Sequence, residues 1–153
     1  MVVNRDAFLA ERRIAVLATL DPDGAPYLTA VWFLWLDGAF LVPTSGESRK
    51  GKNASARSRA SILVDQRGET LRGIAATGHV EVIRGDQALA LNTRIHGRYV
   101  TEEGMADPRL GGLLEDGDDV TLRLVPERWQ TWDLEPAFGD RLGDPELVYP
   151  LAP

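Results

Sequence analysis

The chain has no cysteine, which removes disulfides and thiolate metal sites from consideration. Histidine occurs only twice, at His79 and His96, so no metal centre is expected and each imidazole reads as a structural or solvated group. Long apolar runs are also missing. The longest, Ala30 to Leu36, is far too short to span a bilayer. The start, Met1-Val2-Val3-Asn4-Arg5-Asp6, lacks the basic-then-apolar order of a secretion signal, and the expected location is the cytoplasm. Positive charge is scarce: 17 Lys and Arg face 23 Asp and Glu, for a net charge of −6. Nucleic acids and anionic membranes both require extended positive surface, so neither is an expected partner.

What positive charge there is collects in one place. Thr44-Ser45-Gly46-Glu47-Ser48-Arg49-Lys50-Gly51-Lys52-Asn53 holds the only two lysines, beside an arginine and several hydroxyls. From Ser45 to Ala60 there are five basic residues and one acid, a local charge of +4 on a body that is otherwise strongly acidic. Such a run is most often a solvated helix or loop face. A compact cationic spot of this kind also suits one anionic group of a small ligand, since hydroxyls, a forked guanidinium and an ammonium together satisfy a phosphate.

The 153 residues, 44% hydrophobic and 26% charged, are expected to form one domain spanning 1–153. Asn4 or Asp6 caps a short helix running to about Arg13, and Ile14–Leu20 reads as a strand before the turn Asp21-Pro22-Asp23-Gly24. Pro26–Leu36 reads as one long strand, apolar on both faces from residue 30 and so covered on each side. Asp37-Gly38 is a two-residue hairpin turn, and Ala39–Pro43 returns as a strand. A helix over Glu47–Arg57 is expected, capped by Ser45, with its dipole aimed at an anion. Strands follow at Ser61–Asp65 and Arg72–Ile83, the latter bent at Gly78, with Asp65 and Glu69 as candidate pocket acids or solvated loop acids. A helix runs from Asp86 to about Tyr99 with Ala88, Leu91 and Ile95 on one side. Residues 100–118 read as irregular, Val120–Asp133 as the last strand, and 134–153, with four prolines, as an irregular arm. Six or so antiparallel strands with few helices make a mainly β protein, a small barrel with flanking helices.

The segment Val42-Pro43-Thr44 followed by Ser48-Arg49-Lys50-Gly51-Lys52-Asn53 and Ala60-Ser61-Ile62-Leu63-Val64 resembles the pyridoxamine 5′-phosphate oxidase-like split-barrel family. Pro26-Tyr27-Leu28-Thr29-Ala30-Val31-Trp32 and Thr77-Gly78-His79-Val80-Glu81-Val82 echo two further strands of that family, and the likeness runs from about Ile14 to Trp132. It implies a homodimer with FMN or coenzyme F420 held at the interface. Arg49 and Lys50 would hold the cofactor phosphate, with Thr44, Ser45 and Ser48 as donors and Lys52 nearby. Thr29, Ala30 and Val31 would lie along the ring edge, and Trp132 would reach the cofactor from the partner subunit. Trp129 reads as core filling. Arg57 and Arg59 are further cations suited to the deazaflavin's acidic tail.

The family's substrate-gripping Arg-Leu-His-Asp-Arg stretch is replaced here by Arg141-Leu142-Gly143-Asp144-Pro145, which argues against oxidation of pyridoxamine phosphate. The pattern is closer to the short actinobacterial branch that uses coenzyme F420. The implied activity is hydride transfer between F420 or FMN and a small conjugated substrate, with no protein residue singled out as catalytic. The alternative is a cofactor carrier without turnover of its own.

Overall fold

The computed structural model describes residues 3–66, 71–114 and 118–152. Seven strands form one sheet: β1 (Ala15–Leu20), β2 (Pro26–Val31), β3 (Leu34–Leu36), β4 (Ala39–Ser45), β5 (Arg59–Gln66), β6 (Arg72–Ile83) and β7 (Asp119–Asp133). The order is β2-β1-β5-β6-β7-β4-β3, and every pairing is antiparallel. The two edge strands, β2 and β3, are consecutive in the chain and separated only by Trp32 and Phe33. Three Cα steps reach at most about 11 Å, so the sheet must curl until its edges nearly meet. A split barrel results, with its seam at Trp32-Phe33.

That seam corrects the expectation of one long strand over Pro26–Leu36. Ala30 is exposed, whereas from Val31 to Leu36 the apolar residues are buried or half-buried, against different partners on the two faces. Phe33 points into the barrel against Phe40, whereas Leu34 packs outside with Leu41 and Ile95. Inside, Leu17, Phe40, Val42, Ile62, Val64, Ile74, Leu122 and Leu124 are all buried. Each such side chain contributes about 1.5–3 kcal/mol when fully withdrawn from water. Trp129 packs on this core through Trp35 and Phe40, as its sequence reading implied.

Among the described residues, six helices flank the sheet: α1 (Arg5–Ala10), α2 (Arg49–Ala56), α3 (Gly85–Tyr99), α4 (Glu102–Ala106), α5 (Gly111–Leu114) and α6 (Glu135–Phe138). Asn4 caps α1, accepting from the Ala7 N–H at 3.1 Å, but the helix stops at Ala10 because Glu11 is already extended. The hairpin turn at Asp37-Gly38 has positive φ at both residues, 50° and 73°. The bend expected near Gly78 is a bulge between Thr77 and Gly78, which lets β7 run on past Pro126. The region read as irregular, 100–118, holds α4 and α5. The C-terminal arm holds α6 and a 3-10 turn over Gly139–Gly143. Glu69 lies outside the described residues.

Helix α3 is the element that matters most for the site. Its buried side carries Ala88, Asn92, Ile95 and His96. The Asn92 amide donates to the Val120 carbonyl (3.1 Å) and accepts from the Thr121 hydroxyl (2.7 Å), fixing the helix on β7. At its far end the Tyr99 hydroxyl accepts from the Phe33 N–H (3.2 Å) and donates to the Arg13 carbonyl (2.7 Å), with the Phe33 carbonyl at 3.0 Å. One phenol thereby staples the barrel seam to α3.

Candidate functional site

The cationic segment leaves β4 and enters α2 through a tight turn. Ser48 caps α2, accepting from the Gly51 N–H at 3.1 Å, and this corrects the expected cap at Ser45. Ser45 still belongs to β4, whose pairing with β7 continues to Asp119, and its hydroxyl turns to the Asp118 carboxylate (3.3 Å). Thr44 Oγ1 and Ser48 Oγ share a hydrogen bond of 2.9 Å, and Ser48 also donates to the Ser45 carbonyl (2.7 Å). The hydroxyls thus brace the turn.

Gly51 is required here by close approach. A Cβ at that position would sit 2.5 Å from the Ser45 carbonyl oxygen and 3.1 Å from that of Gly46, both backbone. Gly51→Ala is expected to cost about 1–3 kcal/mol by overpacking and to displace the 45–48 turn. Urea denaturation checks the first effect and loss of ligand affinity the second; an unperturbed variant contradicts this account of the turn.

Successive helix residues diverge by about 100°, so neighbours Arg49 and Lys50 face different ways. Arg49 turns toward the β1–β2 turn, where its Nε donates to Asp21 Oδ1 (2.9 Å), a second guanidinium nitrogen reaches Asp21 Oδ2, and the group lies over the Tyr27 ring at 4.3 Å. Asn53 donates to the same carboxylate at 2.9 Å. Arg57 braces the network, donating to the Leu20 carbonyl (2.7 Å) and Asn53 Oδ1 (3.2 Å). Together with Pro22, Asp23, Glu47 and Lys52 these residues line a cleft of about 690 Å³, in which three acids balance three bases. Lys52 is committed to Glu47 at 3.0 Å.

The Arg49 and Asn53 hydrogen bonds hold the Asp21 carboxyl below its usual range. A depressed native value stabilises the fold above the unfolded-state value near about 3.9, and that contribution is lost as pH falls through the native value. Asp21→Asn should therefore be less stable than the parent at neutral pH. The two stability curves should converge below about pH 4, and parallel curves down to acid pH would contradict the assignment.

Lys50 lines a second cleft, of about 320 Å³, with Ile14, Ala30, Val31, Trp32, Pro43, His96 and Leu114. No acid is among these residues. Burial alone pushes the Lys50 ammonium below its ordinary value, and Lys50 has no ion pair or hydrogen bond among the described residues. A half-buried cation with no acid beside it has the charge and desolvation that suit an anionic group. The wall beside it is aromatic: Trp32 stacks on Tyr99 with centroids 4.9 Å apart and planes 1° apart, and the His96 ring meets Trp32 edge-on at 6.1 Å.

Of the sequence-chosen residues, then, Ala30, Val31 and Lys50 share this cleft. Thr29 is next along β2, its Oγ1 enclosed without a partner among the described residues. Thr44, Ser45 and Ser48 shape the turn behind it, while Arg49 and Lys52 line the other cleft. Trp132 lies on β7 opposite Gly73, where a Cβ would come within 2.4 Å of the indole, and lines neither cleft. The cleft also takes in Trp32 and Pro43, which the sequence did not single out, and His96, which it read as structural or solvated. The spacing of Ala88, Asn92, Ile95, His96 and Tyr99 on one helical stripe was the available signal, hidden because two of them are polar.

Several solved structures share this architecture. The conserved hypothetical protein Rv2991 from Mycobacterium tuberculosis is 29% identical, with a TM-score of 0.71 over 87% of this chain and 86% of its own. An F420 reductase is 22% identical, with a TM-score of 0.66 over 85% of this chain and 98% of its own. HutZ, a heme storage protein from Vibrio cholerae, is 19% identical, with a TM-score of 0.66 over 87% and 95%. The latter two establish likeness of fold. No curated protein matches the chain. The pyridoxamine 5′-phosphate oxidase family model matches residues 4–133, nearly the whole described barrel, and this chain belongs to that family.

Proposed function

We propose that this protein is an oxidoreductase that binds coenzyme F420 or FMN in the Lys50 cleft and transfers a hydride between it and a small conjugated substrate. The observation that carries the reading is Lys50: a partly desolvated cation in a cleft lined by no acid and otherwise largely apolar. Membership of the family and the fold shared with an F420 reductase support it. The cofactor's tricyclic ring supplies the two-electron chemistry. Lys50 holds the anionic group of the side chain, and Ala30, Val31 and Trp32 give the ring an apolar bed and keep water from it. Arg49 reaches the same anion only by releasing Asp21, which accepts from two of its guanidinium nitrogens.

A homodimer belongs to the same reading. Ile14, which lines the cleft just before β1, and Leu28 on the edge strand β2 are half or more exposed, an apolar surface suited to a second copy. Trp132 is the partner residue assigned to the cofactor. Light scattering of the ligand-loaded protein tests this, and a monomer contradicts it.

The spectrum and mass of the small molecule that copurifies from a host making both FMN and F420 tests the cofactor. A flavin or deazaflavin band is expected, and its absence from saturated protein contradicts the reading. The heme storage neighbour supplies a second reading, favoured by the imidazole of His96 in the cleft, and a Soret band would select it. Anaerobic mixing of reduced, loaded protein with a panel of conjugated acceptors separates an enzyme from a carrier: oxidation that depends on the acceptor is expected.

A further inference from the structure

His96 is 5% exposed, yet it contributes to the wall of the Lys50 cleft. The other lining residues are Ile14, Ala30, Val31, Trp32, Pro43 and Leu114, so Lys50 and His96 supply the only polar side chains there among the described residues. They come from different helices, Lys50 from the first turn of α2 and His96 from the last turn of α3. The imidazole is not free to wander. Its helix is pinned to β7 by Asn92 and to the barrel seam by Tyr99, and its ring meets Trp32 edge-on while Trp32 stacks on Tyr99. Packing of this kind holds a polar group in place before a ligand arrives, which is what a contact residue requires.

We propose that His96 is a second polar contact for the ligand in this cleft, hydrogen-bonding an uncharged nitrogen or oxygen on its planar ring while Lys50 takes its anionic group. The cleft then recognises a molecule with both features, and a planar ring lacking such a heteroatom, or an anion lacking a ring, binds less well. This role rests on the reading of the Lys50 cleft given above.

The protein's only other histidine makes the test direct. His79 lies on β6, with its ring exposed and its Nδ1 against Glu127, and it lines neither cleft. In the ¹⁵N-histidine-labelled full chain, FMN or coenzyme F420 used as the probe should displace the His96 imidazole signals saturably and leave those of His79 in place. His96→Phe keeps an aromatic edge against Trp32 but removes the hydrogen bond, and should weaken probe binding about tenfold. His96→Gln should restore most of the affinity, which a purely structural role would not explain. If Lys50→Met weakens binding while the His96 signals stay still, His96 has no part in the site and the cleft reading stands. If His96→Phe binds as tightly as the parent, the proposal likewise falls. If neither probe binds the parent chain, the cleft reading falls and takes this role with it.

Discussion

Lys50→Met is expected to weaken FMN or F420 binding by about 10- to 150-fold while leaving the apo-protein as stable as the parent or more so. The first part follows from one charge-assisted contact worth about 1.5–3 kcal/mol, at 1.4 kcal/mol per factor of ten. The second follows because Lys50 makes no ion pair among the described residues and is only desolvated in the folded chain. Replacing a half-buried charge by an apolar chain of similar length removes that penalty. A matching pH dependence is expected. The native value lies below the usual lysine value of about 10.4, so the ammonium is lost from the unliganded protein earlier than from the unfolded chain. Anion affinity should be full below the native value and decline as pH rises through it, and Lys50→Met should lack that decline. Lys52→Met is the control, since its side chain is 62% exposed and already paired with Glu47. Isothermal titration across pH measures all of this; equal losses from both variants would contradict the distinction between them.

Phe33→Ala should cost about 3–5 kcal/mol, a large share of the 5–15 kcal/mol that typically holds such a domain. Phe33 is 0% exposed and packs against Phe40 inside the barrel. It also lies in the two-residue seam whose backbone Tyr99 holds. The cavity left behind would therefore loosen the segment that carries Trp32. Ligand affinity should fall along with stability, although Phe33 does not line the cleft. Leu89→Ala provides the contrast: Leu89 is 51% exposed on α3, and the change should move stability by no more than about 0.5 kcal/mol. Denaturant midpoints for the two variants decide the matter, and similar small shifts would contradict the seam's role.

Elements with one buried face were legible from sequence. Burial alternates strictly along β1 and along most of β6, which sets Leu17, Ile74 and Ala76 in the core, and the apolar run Ile14–Leu20 ahead of the Asp21-Pro22 turn marks the first of these strands. The seam was not legible. Trp32, Phe33 and Leu34 are all apolar, so nothing in the pattern marks the place where the chain passes from one sheet edge to the other. The choice of Ser48 over Ser45 as helix cap also depended on distance along the chain, through the length of β4's pairing with β7.

The candidate site was legible in composition but not in phase. The cationic run marks the turn into α2, where Arg49 and Lys50 stand side by side in sequence. Treating Arg49 and Lys50 as a pair ignored the helical rotation between them, and Asp21, far away in sequence, settles where Arg49 points. The reading of His96 as structural or solvated has a related source, since a lone histidine on a helix gives no sign of the cleft beside which the fold sets it. Both omissions concern contacts between residues distant in the chain, which local spacing does not encode.

Crystals soaked separately with FMN and coenzyme F420 test the assignment of the Lys50 cleft most directly. The expected density places the ligand's anionic group about 2.7–3.2 Å from Lys50 Nζ, with the ring beside Ala30, Val31 and Trp32. A ligand seated between Arg49 and Arg57 instead, with Lys50 turned to solvent, would contradict it.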